Sequence, residues 1–320
     1  MPLRCFSIFF LLVLSFVSVL PAHAAGKFVA AVLMSDLPRY RDAHRSFLKV
    51  LIQKGYDQSS LDIITQTPNP DPISWANTIR KFIAIGADVI ITYGAPATLA
   101  AMKETDEIPI VFVDVYGPVE TGLSRSMLTS GNNLTGISSK VPMITLIKTL
   151  MELKQTRTMG VLYSSREVGS VVQLKEAKRI AAQIGLAVVE GDITSQAGLD
   201  NTLSSLFLSH VDCIYVSESA VGSRGLEKIV YRANEYKVPV ISQIPGAAAR
   251  GALIALEFDP AEQGQVAADY AVKILSGKKP AQLPITSPKK VDLVINMKAV
   301  KTLDLHVSFP VLSAATKVLK

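Results

Sequence analysis

The chain has 320 residues, with 33 Lys and Arg against 27 Asp and Glu, a formal net charge of +6 and 4 histidines. The charges are scattered, the densest cluster being Lys278-Lys279 with Lys289-Lys290 nearby, and no basic stripe or helix-turn-helix pattern marks a nucleic-acid binder. Arg4 precedes an apolar run at 6–20, and Ala22-His23-Ala24 forms an A-x-A cleavage pattern, which predicts a secretory signal peptide removed after Ala24. Its apolar core is short for a membrane span. The expected mature protein is therefore exported and periplasmic, with 296 of the 320 residues left to build two lobes. Cys5 precedes the apolar run, so Cys213 is left as the single mature cysteine and no intramolecular disulfide is available.

In chain order, apolar runs alternate with amphipathic segments. A strand at 28–33 precedes a helix at 39–54, whose Ala43, Phe47, Leu48 and Leu51 share a face and whose stop is Gly55. Then come a strand at 61–65, a helix at 73–85, a strand at 88–92, a short helix at 96–103 and a strand at 110–113. Trp75 shares the apolar stripe of Ile79 and Phe82 and reads as core. The turn Ser130-Gly131-Asn132-Asn133 leads into a further short apolar run at 134–137.

After Ile137 the alternation restarts, with helix 143–153, strand 159–163, helix 168–184, strand 186–190, helix 199–208, strand 211–216, helix 225–236 and strands at 238–241 and 252–256. Val32-Leu33 corresponds to Val161-Leu162, the strand from Asp88 to the strand from Asp212, and Ile108-Pro109-Ile110 to Val238-Pro239-Val240. Three matches in one order predict two lobes of the same fold. The rest adds to lobes already built: a helix at 261–276, a connector at 280–288 with three prolines, a strand at 291–295 and a helix at 297–303. The expected class is α/β, two Rossmann-like lobes with parallel sheets joined by a three-crossing hinge. The expected lobes are 27–138 plus 259–286 and 139–258 plus 287–320, with crossings near 138–140, 257–260 and 284–288.

No catalytic signature is present: no G-x-S-x-G, no P-loop and no G-x-G-x-x-G. His44, His210 and His306 lack partners at metal-ligand spacing, so neither a catalytic residue, a metal ligand nor a cofactor is assigned. Polar and small residues recur instead at the carboxyl ends of strands, where an open α/β sheet meets its ligand. The candidates from the first half are Ser35 and Asp36; then Tyr93, Gly94, Ala95, Pro96, Ala97 and Thr98 at a strand-to-helix turn; then Asp114, Tyr116 and Gly117. The second half supplies Ser165, Glu167, Gly169 and Ser170, then Ser217, Glu218 and Ser219. The helix start after Gly94 offers free N–H groups to an anion, and Tyr93 and Tyr116 are suited to flank a flat body.

These motifs, above all 88–100, the Ile-Pro-Ile-Val-Phe and Pro-Val-x-x-Gly-Leu of 108–123, Gly131 to Gly136, 160–170, 211–216, 251–284 and Leu293-Val294-Ile295-Asn296, resemble the ABC-transporter substrate-binding family known for uptake of tryptophan and other aromatic amino acids. The resemblance implies a periplasmic-binding-protein type I fold. It also implies a monomeric receptor that closes on a small-molecule ligand and presents it to a membrane permease, or, in the same fold, to a sensor histidine kinase. The family usually has Thr at Ala95, Asp-Pro at Gly117-Pro118, Glu-x-Asn-Ser at 167–170 and Asp at Ser219; here Glu167, Glu218, Asp36 or Asp114 can meet a ligand's ammonium instead.

Overall fold

The computed structural model describes residues 26–56, 60–131 and 133–320; the expected leader and Asn132 lie outside them. Strand β1 (Lys27–Leu33) leads to α1 (Pro38–Gln53), β2 (Leu61–Gln66), α2 (Pro72–Ala84), β3 (Val89–Tyr93), α3 (Ala95–Glu104), β4 (Ile110–Val115) and β5 (Leu134–Ser138). The five strands form one parallel sheet in the order β2-β1-β3-β4-β5. The inner runs β3 and β4, with β5, are buried along their whole length, as a sheet sandwiched between helices requires, whereas edge strand β2 is largely open to solvent. Asp71 caps α2 by accepting from Ser74 N at 2.9 Å, and Trp75, Ile79 and Phe82 are buried as their spacing predicts.

The second lobe comprises α4 (Met143–Leu153), β6 (Thr158–Tyr163), α5 (Val168–Ile184), β7 (Ala187–Asp192), α6 (Leu199–Leu208), β8 (Cys213–Val216), α7 (Ala220–Glu235), β9 (Val240–Ser242) and β10 (Ile254–Phe258). Its order β7-β6-β8-β9-β10 repeats that of the first sheet, position for position. Helix α7 starts five residues ahead of its expected place. Ser219 caps it by accepting from Gly222 N at 3.0 Å, so a Gly- and Ser-rich first turn is held in helix despite poor intrinsic propensity. Buried Cys213 has its thiol pushed up to about 12 by desolvation, which makes it an inert core residue.

From β10 the chain returns to the first lobe as α8 (Pro260–Leu275), capped by Asp259 and packed along α1. Gly264 sits where the two helices touch: a Cβ there would collide with the Ala43 carbonyl oxygen. A third passage, tied to β5 by Ser138 N donating to Thr286 O at 2.8 Å, enters the second sheet as β11 (Val291–Asn296). Because it enters from the opposite end, β11 runs antiparallel to β10, the one antiparallel pair among the described strands. Short helices α9 (Met297–Thr302) and α10 (Phe309–Ala314) follow, and β12 (Lys317–Leu319) closes the sheet edge beside β11.

His44 shows what burial does to one titratable group of this lobe. Its Nδ1 lies 3.0 Å from Tyr93 OH and its Nε2 2.9 Å from Thr65 Oγ1, with the ring edge-on to Tyr93. Burial lowers its pKa from 6.5 to about 4, so the folded ring stays neutral where the unfolded one takes up a proton. Stability should be full above pH 6.5 and fall toward pH 4, by on the order of 3 kcal/mol from this group. Urea titrations across that range should show the loss, and His44→Gln, which keeps a donor and an acceptor but does not titrate, should flatten it. Equal slopes for the two proteins would exclude His44 as the cause.

Candidate functional site

The carboxyl ends of β3 and β4 face those of β6 and β8 across a cleft between the lobes. It is lined by Met34, Arg39, Tyr40, Ala95, Pro96 and Asp114 with Tyr116 from the first lobe, and by Glu167, Gly169, Ser170, Gln173 and Glu218 from the second. Asp114, the last residue but one of β4, has φ +58, a left-handed conformation that Asp tolerates better than most side chains. Its N–H donates to Gln263 Oε1 of α8 at 2.8 Å, which pins the turn from behind. Glu218 is set by the α7 start: its N–H donates to Gln173 Oε1 at 2.9 Å, and Oε2 accepts from Ser139 Oγ at 3.2 Å.

Arg39 stands between these acids. Its Nε lies 2.9 Å from Asp114 Oδ2 and its Nη1 3.8 Å from Glu218 Oε2, while Nη2 donates to Tyr40 OH at 2.9 Å and to the Glu218 carbonyl at 2.8 Å. Burial disfavours the guanidinium charge, but Asp114, Tyr40 and Glu218 together outweigh that and raise its pKa further. The acids are raised as well, which in their case favours the neutral form. Burial raises Asp114 despite Arg39, and pushes Glu218 up to about 8 with Asp114 adding to the effect. Six of the ten buried side-chain N and O atoms without a hydrogen-bond partner, among the described residues, belong to this one cluster: Arg39 Nε and Nη1, both Asp114 oxygens, Gln173 Nε2 and Glu218 Oε1. The short Arg39–Asp114 contact is thus an ion contact that is not aligned as a hydrogen bond. Buried polar atoms are ordinarily paired, so such a concentration marks a place built to engage something polar.

The eighteen expected site residues divide. Ala95, Pro96, Asp114, Tyr116, Glu167, Gly169, Ser170 and Glu218 line the cleft. Asp36 sits exposed at the rim, where it pairs with Arg224 of the opposite lobe at 2.6 Å. Tyr93 does not flank the cleft; its hydroxyl is held by His44 within the lobe. Gly94 carries φ +89 and is closely covered by Met34 and Tyr40, which leaves its backbone beneath side chains. Ala97 and Thr98 are fully buried, with Thr98 Oγ1 donating to Gly94 O at 2.8 Å. Gly117 lines a neighbouring hollow with Glu120 and Lys140.

Ser35 is buried beside the cleft lining, whereas Ser165 is exposed, its N–H donating to Asp192. Ser217 Oγ contacts Ser170 Oγ at 2.7 Å, and Ser219 is the cap of α7, so both are structural. Glu167 Oε1 accepts from Ala220 N at 2.8 Å, and burial raises its pKa. Met34, Arg39, Tyr40 and Gln173 were missed. A signal existed for Arg39: it falls at i−4 from Ala43 and i−8 from Phe47, a cation on the apolar stripe of α1.

A sequence profile of ABC transporter substrate-binding proteins matches residues 29–319. The chain belongs to that family. Its members bind ligands and are not enzymes; they work at the extracellular or periplasmic side with ABC transporter permeases. Among the described residues no helix is long and apolar enough to cross a membrane. The tyrosine-binding protein of Clostridioides difficile (strain R20291) is 29% identical over 273 residues, 84% of this chain and 78% of that protein. A conserved domain protein from Vibrio cholerae O1 biovar El Tor (strain N16961) superposes with a TM-score of 0.86 at 28% identity, over 91% of this chain and 99% of that one. An ABC domain from Streptococcus pneumoniae in complex with L-Trp also gives 0.86, at 23% identity, over 92% and 100%. This is the periplasmic-binding-protein type I fold, two lobes with a cleft between.

Proposed function

We propose that this chain is the solute receptor of an ABC importer, exported after cleavage at Ala24, and that its lobes close on a small polar, amino-acid-like ligand. The observation that carries the reading is the cluster of buried charged and polar side chains Arg39, Asp114, Gln173 and Glu218, several of whose atoms make ion contacts without an aligned hydrogen bond, contributed by both lobes to one cleft. Asp114 and Glu218 suit a ligand's ammonium group, while the first N–H groups of α3 behind Ala95 and Pro96 suit a carboxylate. The tyrosine-binding relative and the tryptophan-bound neighbour support an amino-acid-like ligand. The proposed lobes are 27–138 plus 259–286 and 139–258 plus 287–320, closing about the three crossings.

A thermal-shift panel on residues 25–320, covering the amino acids, their decarboxylated amines and small carboxylates, tests this. One chemical class should raise the midpoint, since a ligand at a hundred times its Kd adds about 2.7 kcal/mol of stability. A flat response across all three classes, with no compaction in solution scattering, would overturn the reading.

A further inference from the structure

Away from the cleft, a second set of contacts ties the lobes together at their crossings. Tyr116, which follows β4 of the first sheet, is 3% exposed, and its ring belongs to the apolar cluster of the second lobe with Val141, Met143 and Val172. Its hydroxyl donates to Glu176 Oε2 of α5 at 3.2 Å. The same carboxylate pairs with Lys140 Nζ at 2.9 Å, and Lys140 reaches Glu120 of the first lobe at 2.5 Å. The ammonium also stands 6.0 Å from the centre of the Tyr116 ring, within cation–π range. Lys140 lies on the passage that follows β5, so one cation on a crossing holds an acid from each lobe. Glu120, Lys140 and Glu176 line a hollow of ≈ 360 Å³ with Ser138 and Ser287 of two crossings, and none of the three lines the cleft.

We propose that the chain of contacts Tyr116–Glu176–Lys140–Glu120 is a lock on the closed arrangement of the lobes, set beside the crossings rather than in the solute's place. Each link joins a group of one lobe, or of the crossing itself, to a group of the other. Swinging the lobes apart therefore withdraws an aromatic ring from an apolar cluster, parts Tyr116 from Glu176 and takes from Lys140 one of its two acids. Exposed ion pairs contribute little singly, but the Glu176 side chain is only 12% exposed and shares its oxygen with a buried phenol, which makes the links interdependent. Of the four, Tyr116 alone also lines the cleft, so a solute packed against its ring steadies the lock from the other side. The lock rests on the reading of two lobes that close, but its test needs no solute.

The experiment uses residues 25–320 with Asp36→Cys and Arg224→Cys, whose native side chains meet across the rim at 2.6 Å. A short bifunctional methanethiosulfonate links the two thiols only when the lobes are together, so the linking rate reads how often they are. Buried Cys213 stays out of the reaction, and the rim ion pair is gone from every sample. In this parent, Lys140→Met, which keeps the apolar stem, should slow linking about fivefold, and Tyr116→Phe, which loses only the hydroxyl, about threefold. The double variant should fall short of the product of the two effects, because both act through Glu176. In ~1 M sodium chloride the parent's rate should drop toward that of Lys140→Met. Lys178→Met, which breaks an exposed pair with Glu190 inside one lobe, should leave the rate unchanged.

Equal rates for the parent, Lys140→Met and Tyr116→Phe would overturn the lock. Faster linking by either variant would overturn it too, by showing that the network holds the lobes apart. If Lys140→Met folds poorly, Glu120→Gln removes the first-lobe link alone and should slow linking about twofold. A flat thermal-shift panel with slowed linking would sink the receptor reading and keep the lock; a panel ligand with unchanged linking rates would do the reverse.

Discussion

Asp114→Asn is expected to weaken solute binding by roughly two to three orders of magnitude while leaving the fold intact. The substitution preserves shape, and Asn is as much at home as Asp in the left-handed backbone at φ +58. The hydrogen bond from the residue 114 N–H to Gln263 is untouched, so the turn keeps its anchor. What goes is the charge that faces Arg39 and, under the proposed function, the ligand's ammonium. Taking one partner from a buried charge pair across a binding interface costs about 2–5 kcal/mol of affinity, which sets the size of the loss. Titration calorimetry with the best panel ligand measures it, beside a thermal midpoint for the fold. Unchanged affinity would remove Asp114 from the site and leave Glu218 as the acid that matters.

Gly264→Ala should lower the thermal midpoint by about 5 °C, although alanine is the better helix former. The gain in helix propensity is about 1 kcal/mol. Against it, the new Cβ collides with the Ala43 carbonyl oxygen and stands 2.9 Å from the Phe47 N, both main-chain atoms of α1 that cannot turn aside as a side chain could. Pushing α8 off α1 costs about 3 kcal/mol or more and disturbs Gln263, the neighbour that holds Asp114. Thermal unfolding measures the loss, and ligand binding should weaken with it. A midpoint within a degree or two of wild type would mean the two helices have slack between them.

The alternation of strands and helices was legible because it rests on local causes. Apolar period, proline at helix starts and glycine after helix ends act within a few residues, so α4, α5 and α6 fall where the pattern puts them. The repeat was legible for the same reason: Val32 and Val161, Ile90 and Ile214, and Ile110 and Val240 occupy corresponding strands of the two sheets. Local signals failed where a partner supplied the stability. β12 has three residues and forms against β11, and the first turn of α7 depends on its Ser219 cap and on Glu167, just ahead of α5.

The site divides along the same line. Asp114, Tyr116, Glu167 and Glu218 could be named because strand ends in an α/β sheet point at the ligand whatever the rest of the chain does. By itself, then, the sequence determined the two-lobed α/β architecture, the absence of catalytic motifs and eight of the twelve residues that line the cleft. Only the tertiary structure decided that Arg39, on the buried stripe of α1, reaches across to Glu218, 179 residues away, and that Tyr93 and Thr98 turn inward to their own lobe. The reason is physical. A residue's helical or extended state depends on its neighbours in the chain, but which charges become partners depends on how the lobes meet, and no local pattern carries that distance.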